Sequence, residues 1–323
     1  MKSMLSNNKT LKTKVTRWLW KHKLEILILI SGLIAMNLIF IADVFRATNI
    51  VSGSSAGQLG DFVGGYVGTF FVLVSVVLLL ATLRSQRESS AMLAFEGKYF
   101  EMVKMHRENV FEMELQELKG RRIFIMLLRE LREAHAIVST LNREGNHKLD
   151  MQQCWSAAFN CLFFGVGPNS SRMLNSSLSN YPSDFRKSLE EKLKDPTLRM
   201  EAKAKWKLGY EPFDGHQSRL GHYYRHLYQT VSYVDRQTLQ VEKYDYIKTV
   251  RAQLTIHEQA LLFINSLTPL GQDWWASGFI KNYRMVQNIP KDFFDKNDEV
   301  DFKSYFSTGY FEWEDAETSN FKV

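Results

Sequence analysis

Two stretches of the chain are apolar on every side, and beyond them the apolar positions recur with a helical period. Residues 26–42 carry no charge, with Ser31 and Asn37 as their main polar positions, and residues 62–83 are a further 22 without a charge. At a rise of about 1.5 Å per residue the second run spans about 33 Å, enough for a hydrocarbon core of about 30 Å. From Arg84 the pattern changes. Met92, Phe95, Tyr99, Met102, Val103, His106, Val110 and Met113 recur at helical spacing, and Glu96, Glu101, Lys104, Arg107, Glu108 and Glu112 occupy the opposite face. This predicts one amphipathic helix emerging from the second run and continuing to Lys119, with Gly120 interrupting it.

Further helices are predicted over 121–141, 151–164, 183–194, 197–207, 220–234, 243–267 and 274–287. A polar turn is expected at 142–148 and another turn at 210–215. Gly165, Gly167 and Pro168 break the chain, and the Ser/Asn-rich residues 169–182 read as a mobile loop. The aromatic tail from Pro290 is expected to cover the domain and then fray. The predicted fold class is all-α: an N-terminal two-helix transmembrane hairpin followed by a helical cytoplasmic domain. The expected boundaries are a basic N-terminus (1–24), a first span (25–45), a short external loop (46–60), a second span (61–83), the emergent helix (84–119) and the helical domain (120–323).

Charge supports this topology. The pI near 9.1 suggests nucleic acid at first. Yet residues 1–83 hold eight basic and three acidic residues, whereas the other 240 hold 33 and 32. The excess is concentrated where the positive-inside rule acts, not on a nucleic-acid face. Seven Lys/Arg precede the first span, Arg84 and Arg87 follow the second, and only Arg46 lies between them. Both termini are therefore expected in the cytoplasm, with only a short loop on the other side. The first run is read as a retained helix, because no small-x-small cleavage site closely follows it.

Gly60, Gly64 and Gly68 recur every fourth residue and form a strip that permits close backbone approach in lipid. Two readings stay open: a glycine zipper between copies of the chain, or packing within the hairpin against Ser31 and Ala35. Cys154 and Cys161 offer neither a disulfide framework nor zinc-ligand spacing and read as buried thiols. There is no phosphate loop, no HExxH and no nucleophile elbow. His222 and His226 share a helix face, but no carboxylate has the matching spacing, so no metal site and no cofactor is expected.

The strongest polar pattern is Arg251, Glu258 and Asn265, spaced by seven on a predicted helix and flanked by Leu254, Leu261 and Leu262. A polar line through an apolar face needs partners. It reads either as a structural network or, with His222 and Arg225, as a sensing or switching network. Arg251 is expected to pair with a carboxylate or a carbonyl. Arg251 and His257 also show the R-x5-H spacing of HEPN-type ribonucleases, although positions six apart diverge on a regular helix.

Three stretches resemble a known family. They are Gly60-Asp61-Phe62-Val63-Gly64-Gly65-Tyr66-Val67-Gly68 with Thr82 through Arg87; Phe95-Glu96-Gly97-Lys98-Tyr99-Phe100 running to Val110; and Gly221 through Tyr228 joined to Tyr246-Ile247-Lys248 and Arg251-Ala252-Gln253-Leu254. Together they resemble the putative phage abortive infection family. The resemblance implies defence in which an infected cell arrests or dies before progeny emerge. It leaves three readings: a membrane-anchored sensor and effector, a membrane-tethered ribonuclease using Arg251 and His257, or a non-catalytic scaffold recruiting a separate effector. The expected partners are a lipid bilayer, further copies of the chain, and a phage or host protein as trigger.

Overall fold

The computed structural model describes residues 23–41, 53–167, 170–294, 300 and 304–314. The chain divides into two units, Met1–Ala94 and Phe95–Val323. Most of the expected basic N-terminus, the end of the first span and the start of the external loop lie outside the described residues, as does the last part of the tail.

In the first unit, α1 (Lys23–Ile41) has 19 residues, with Lys23 and Glu25 as its charges. Helix α2 (Gly53–Phe62) leads through a π-helical turn (Val63–Val67) into α3 (Gly68–Glu112), which has 45 residues. Residues 53–60, expected in a loop, are thus helical. The π turn lies at Gly64 and Gly65, where the backbone lacks Cβ atoms to resist widening. Its extra residue leaves the Gly68 N–H shared between the Gly64 and Gly65 carbonyls.

Most of the apolar run is exposed, although Val74 within it is buried. Phe71, Val72, Leu73, Val76, Leu79 and Leu80 are all exposed. Its polar side chains bond back into their own helix. Thr69 Oγ1 donates to Gly65 O (2.5 Å), Ser75 Oγ to Phe71 O (2.8 Å) and Thr82 Oγ1 to Leu78 O (2.8 Å). By length and composition, one helix among the described residues can cross a membrane, Gly60–Glu112. A Cβ placed on Gly60, Gly64 or Gly68 would meet nothing within 4 Å, whereas one on Gly32 would collide with the Phe70 ring. The close approach within the chain therefore uses Gly32, and the glycine strip, a candidate for packing inside the hairpin, stays open.

The emergent helix ends at Glu112, short of the expected Lys119. A two-residue antiparallel hairpin comes next, β1 (Glu114–Leu115) with β2 (Leu118–Lys119), pairing Glu114 with Lys119 and Leu115 with Leu118. Gln116 and Gly120 take positive φ there, which closes the turn.

The second unit is a helical bundle around α4 (Arg122–Glu144) and α5 (Met151–Phe164). One stripe of α4, including Ile123, Leu127, Leu131, Ala134 and Val138, is fully buried, as its apolar period dictates. Helix α5 starts at a reciprocal capping box between Asp150 and Gln153 and stops at Gly165, whose φ is +71°. Next come α6 (Ser171–Ser177), α7 (Ser183–Lys194) and α8 (Pro196–Trp206). Helix α6 replaces the expected mobile loop, because Leu174 and Leu178 anchor it in the core. Asp195 caps α8 ahead of Pro196.

Helix α9 (Gln217–Asp235) is followed by α10 (Lys243–Arg251) and α11 (Ile256–Ser266). The single helix expected over 243–267 is broken, because Thr255 and Glu258 form a capping box that starts a new one. Likewise the helix expected at 274–287 is two single turns, α12 (Asp273–Ala276) and α13 (Phe279–Asn282), separated by Gly278 with φ +71°. Residues 260–264 of α11 are buried on all sides, and α11 packs against α4 and α5. Phe294, Phe306, Tyr310 and Phe311 are buried as well, so the aromatic tail covers the bundle as its composition suggested.

Candidate functional site

Helix α9 is the organising element of the site, because its two faces meet different neighbours. One face holds α3. Phe95 of α3 stacks on Tyr233 of α9 at 5.6 Å and meets Tyr246 of α10 edge-on at 5.0 Å. Tyr99 donates to the Tyr246 carbonyl at 2.8 Å, and Tyr246 donates to Glu96 at 2.8 Å. Further along α3, the His106 ring lies 5.1 Å from Tyr223 and 6.0 Å from His226. His106 is buried, and neither of its ring nitrogens has a hydrogen-bond partner among the described residues. Burial also pushes the His226 imidazole below its usual range.

Beneath this face lies Glu258, which is completely enclosed. Thr255 N–H and Oγ1–H donate to its Oε2 at 2.8 and 2.7 Å, and Tyr223 O–H donates to its Oε1 at 3.1 Å. These three donors and the N-terminus of α11 stabilise the carboxylate, which has no cationic partner among the described residues. Burial holds the Tyr223 and Tyr224 hydroxyls well above the usual phenol range, and the nearby Glu258 carboxylate adds to this. The Tyr224 hydroxyl has no partner among the described residues.

The other side of α9 lines a cavity of about 360 Å³. Gly221, Tyr224, Arg225, Tyr228 and Gln229 come from α9, Asn265 from the end of α11, Leu270 and Gly271 from the following loop, Asp273 and Trp274 from α12, and Phe163 from α5. Tyr228 meets the Trp274 ring edge-on at 5.2 Å and is fixed by a 2.8 Å hydrogen bond to Ser277 Oγ. Asn265 is only 2% exposed, yet its Oδ1 has no partner among the described residues. Arg225 is exposed and forms no ion pair among the described residues. A cavity of about 550 Å³ is lined in part by residues 266–268, and several of its polar groups are already engaged. Ser266 Oγ accepts from Trp275 Nε1 at 2.9 Å, Thr268 Oγ1 donates to Asn265 O at 2.7 Å, and Tyr181 donates to Gln153 O at 2.9 Å.

The residues expected to form one network fall in separate places. Arg225 and Asn265 meet at the smaller cavity. Arg251 is buried elsewhere and donates through Nη1 to the carbonyls of Tyr283 (2.9 Å) and Arg284 (3.3 Å), so it pins the chain after α13. Its expected carbonyl pairing is present. The break at residues 252–255 ends the common helix line that would have joined Arg251 to Glu258. His257 is half-buried against the Phe293 ring at 5.3 Å, while Arg251 stays with its carbonyls. His222 is exposed. Cys154 and Cys161 are buried thiols that share no disulfide, and burial pushes Cys161 up to about 12.

Sequence reading misses a second buried pair. Glu130 accepts from Phe213 N–H at 2.8 Å and lies 2.9 Å from His216 Nε2, with both side chains enclosed. Phe213 has a φ of +66°, and the Glu130 contact holds this strained turn just before α9. The partners are 83 and 86 residues apart, so no local pattern announces them.

A family model described as putative phage abortive infection protein matches residues 215–294, the same family that the sequence resembles. The match takes in α9 through α13, and with them every cavity residue except Phe163. Comparison with curated proteins and with solved structures gives no match.

Proposed function

We propose that this protein acts in abortive infection of phage-infected bacteria, as a membrane-anchored sensor and effector whose helical domain controls its apolar N-terminal helices. The observation that carries the reading is the placement of α9. One side of it lines the cavity, and the other grips α3 through Phe95 and His106. Helix α3 also contains the exposed apolar run. A change at the cavity therefore acts on the helix that enters the bilayer, a coupling that needs two arrangements of α9 with different cavity affinity. In this reading α1 is the first span, both termini are cytoplasmic, and the basic flanks set the orientation in the inner membrane. The open glycine strip at Gly60, Gly64 and Gly68 packs against other copies when the output is triggered, and loss of membrane integrity arrests the cell.

The test is a membrane-potential dye followed through phage infection. Wild-type cells are expected to depolarise when growth stops. Phe95→Ala, which cuts the grip of α9 on α3, and Gly64→Leu, which blocks the strip, are each expected to abolish depolarisation and protection together. Full membrane potential in wild-type cells at growth arrest would reject the effector role.

A further inference from the structure

We infer that the cavity between α9 and the Asn265–Trp274 segment takes a nucleoside monophosphate. This deepens the sensing role proposed above and rests on that role for its biological meaning, but the binding chemistry stands on the cavity itself. Four features have to be matched by one ligand. The Asn265 carboxamide is almost fully enclosed and makes no side-chain hydrogen bond among the described residues, with Oδ1 left without a donor. A buried amide oxygen in that state is an unmet acceptor that a ligand donor would satisfy. Gly271 lies directly against it: a Cβ there would come within 2.6 Å of Oδ1 and closer still to the Asn265 carbonyl. Glycine at 271 thus leaves the amide its position in the wall.

The walls are aromatic, from Phe163, Tyr228 and Trp274. At the rim stand Arg225, unpaired, and Asp273. A carboxamide reads the edge of a planar heterocycle through paired donor and acceptor groups. Aromatic walls suit a flat base, which stacks or packs edge-on against them. A ribose offers hydroxyl donors to Asp273, and a phosphate matches the fork of Arg225. A cavity of about 360 Å³ falls within the range for small-molecule sites. Inorganic phosphate would satisfy Arg225 alone. A free amino acid would bridge Arg225 and Asp273 but present no flat face to the walls and no heterocycle edge to Asn265.

The experiment is isothermal titration of the full chain, purified in detergent micelles, with AMP, GMP, CMP and UMP in turn. Inorganic phosphate and glutamate serve as competing probes. At least one nucleotide is expected to bind. Asn265→Leu and Arg225→Ala are each expected to weaken it about 10-fold or more, with Arg225→Lys falling between wild type and Arg225→Ala. Arg225 is on the surface, so its variants stay informative if Asn265→Leu does not fold. Binding of none of the four, equal binding by Arg225→Ala, or phosphate or glutamate binding as tightly as any nucleotide would each overturn the inference. Phage challenge separates it from the sensing role. Protection by a wild-type chain that binds no nucleotide defeats this inference alone. Binding lost in Arg225→Ala with protection intact upholds the site and defeats the sensing role.

Discussion

The two halves of α3 use the same kinds of side chain in opposite ways. In the first half Phe71, Val72, Leu73 and Leu79 are exposed while Val74 is buried, and the few polar groups bond to their own helix. In the second half Phe95, Tyr99 and Val110 are buried and the charged residues face out. A helix that is apolar on every side without protein around it is matched to a solvent that is itself apolar. There each polar side chain has to find its partner inside the helix. The second half is sorted by water, which rewards one buried stripe. The difference locates the change of surroundings between Leu83 and Phe95 in the proposed membrane arrangement.

Substitutions that hurt one region and spare the other test this contrast. The largest effect is expected in the core. Phe124 is fully buried and lies 4.8 Å from the Tyr223 ring. Phe124→Ala should cost about 3–5 kcal/mol, read by denaturant titration of intrinsic fluorescence, with membrane recovery unchanged. Leu79→Arg should show the reverse. An arginine near the centre of a bilayer costs about 2.5–3.5 kcal/mol, whereas on a water-exposed helix it would change stability by about 0.5 kcal/mol or less. The expected outcome is loss of the protein from carbonate-washed membranes. Undiminished recovery of Leu79→Arg would mean that this run does not lie in lipid.

Much of the bundle is legible in the sequence because period and punctuation agree. Residues 151–164 and 183–194 are bounded by their breakers and capping residues, and the structure returns the same limits. The failures have specific causes. Over 243–267 the apolar period continues through Thr255 and predicts one helix, although Thr255 and Glu258 carry the capping-box signature that splits it. At 171–177 a Ser/Asn-rich composition hides Leu174, whose burial fixes a short helix. In the candidate site, Arg225 and Asn265 stand out as polar residues at helical spacing. Gly271 and Trp274 do not, because their role depends on how the loop after α11 folds back. The Glu130–His216 pair is illegible for the same reason: it exists only in the tertiary packing.

The same contrast makes a pH prediction that belongs to the second unit alone. The His135 ring stacks on Trp155 at 3.8 Å, and burial pushes its imidazole down to about 4. The unfolded chain takes up this proton near pH 6.5, so between about pH 6.5 and 4 it binds more protons than the folded one. Stability is therefore fully present above about pH 6.5 and falls as the pH drops toward about 4. The loss from this residue is about 3 kcal/mol at most. Denaturant midpoints at pH 7.5, 5.5 and 4.5 should decline in that order, and His135→Phe should flatten the slope. An unchanged slope in that variant would assign the decline to other groups.

The smallest effect examines how a charge is kept inside the bundle. Glu258 takes two of its three donors from Thr255, one through the backbone and one through the hydroxyl. Thr255→Ala removes the hydroxyl, which both caps α11 and solvates the carboxylate, and leaves the backbone N–H and Tyr223 in place. The expected cost is about 1–2 kcal/mol, with Thr255→Ser restoring most of it because the oxygen returns. Glu258→Gln tests the charge itself. It keeps the shape but accepts hydrogen bonds less strongly, so in that background the Thr255→Ala penalty should shrink. If the penalty is the same with glutamine at 258, Thr255 acts only as a helix cap. The enclosed carboxylate would then owe its stability to Tyr223 and the helix end.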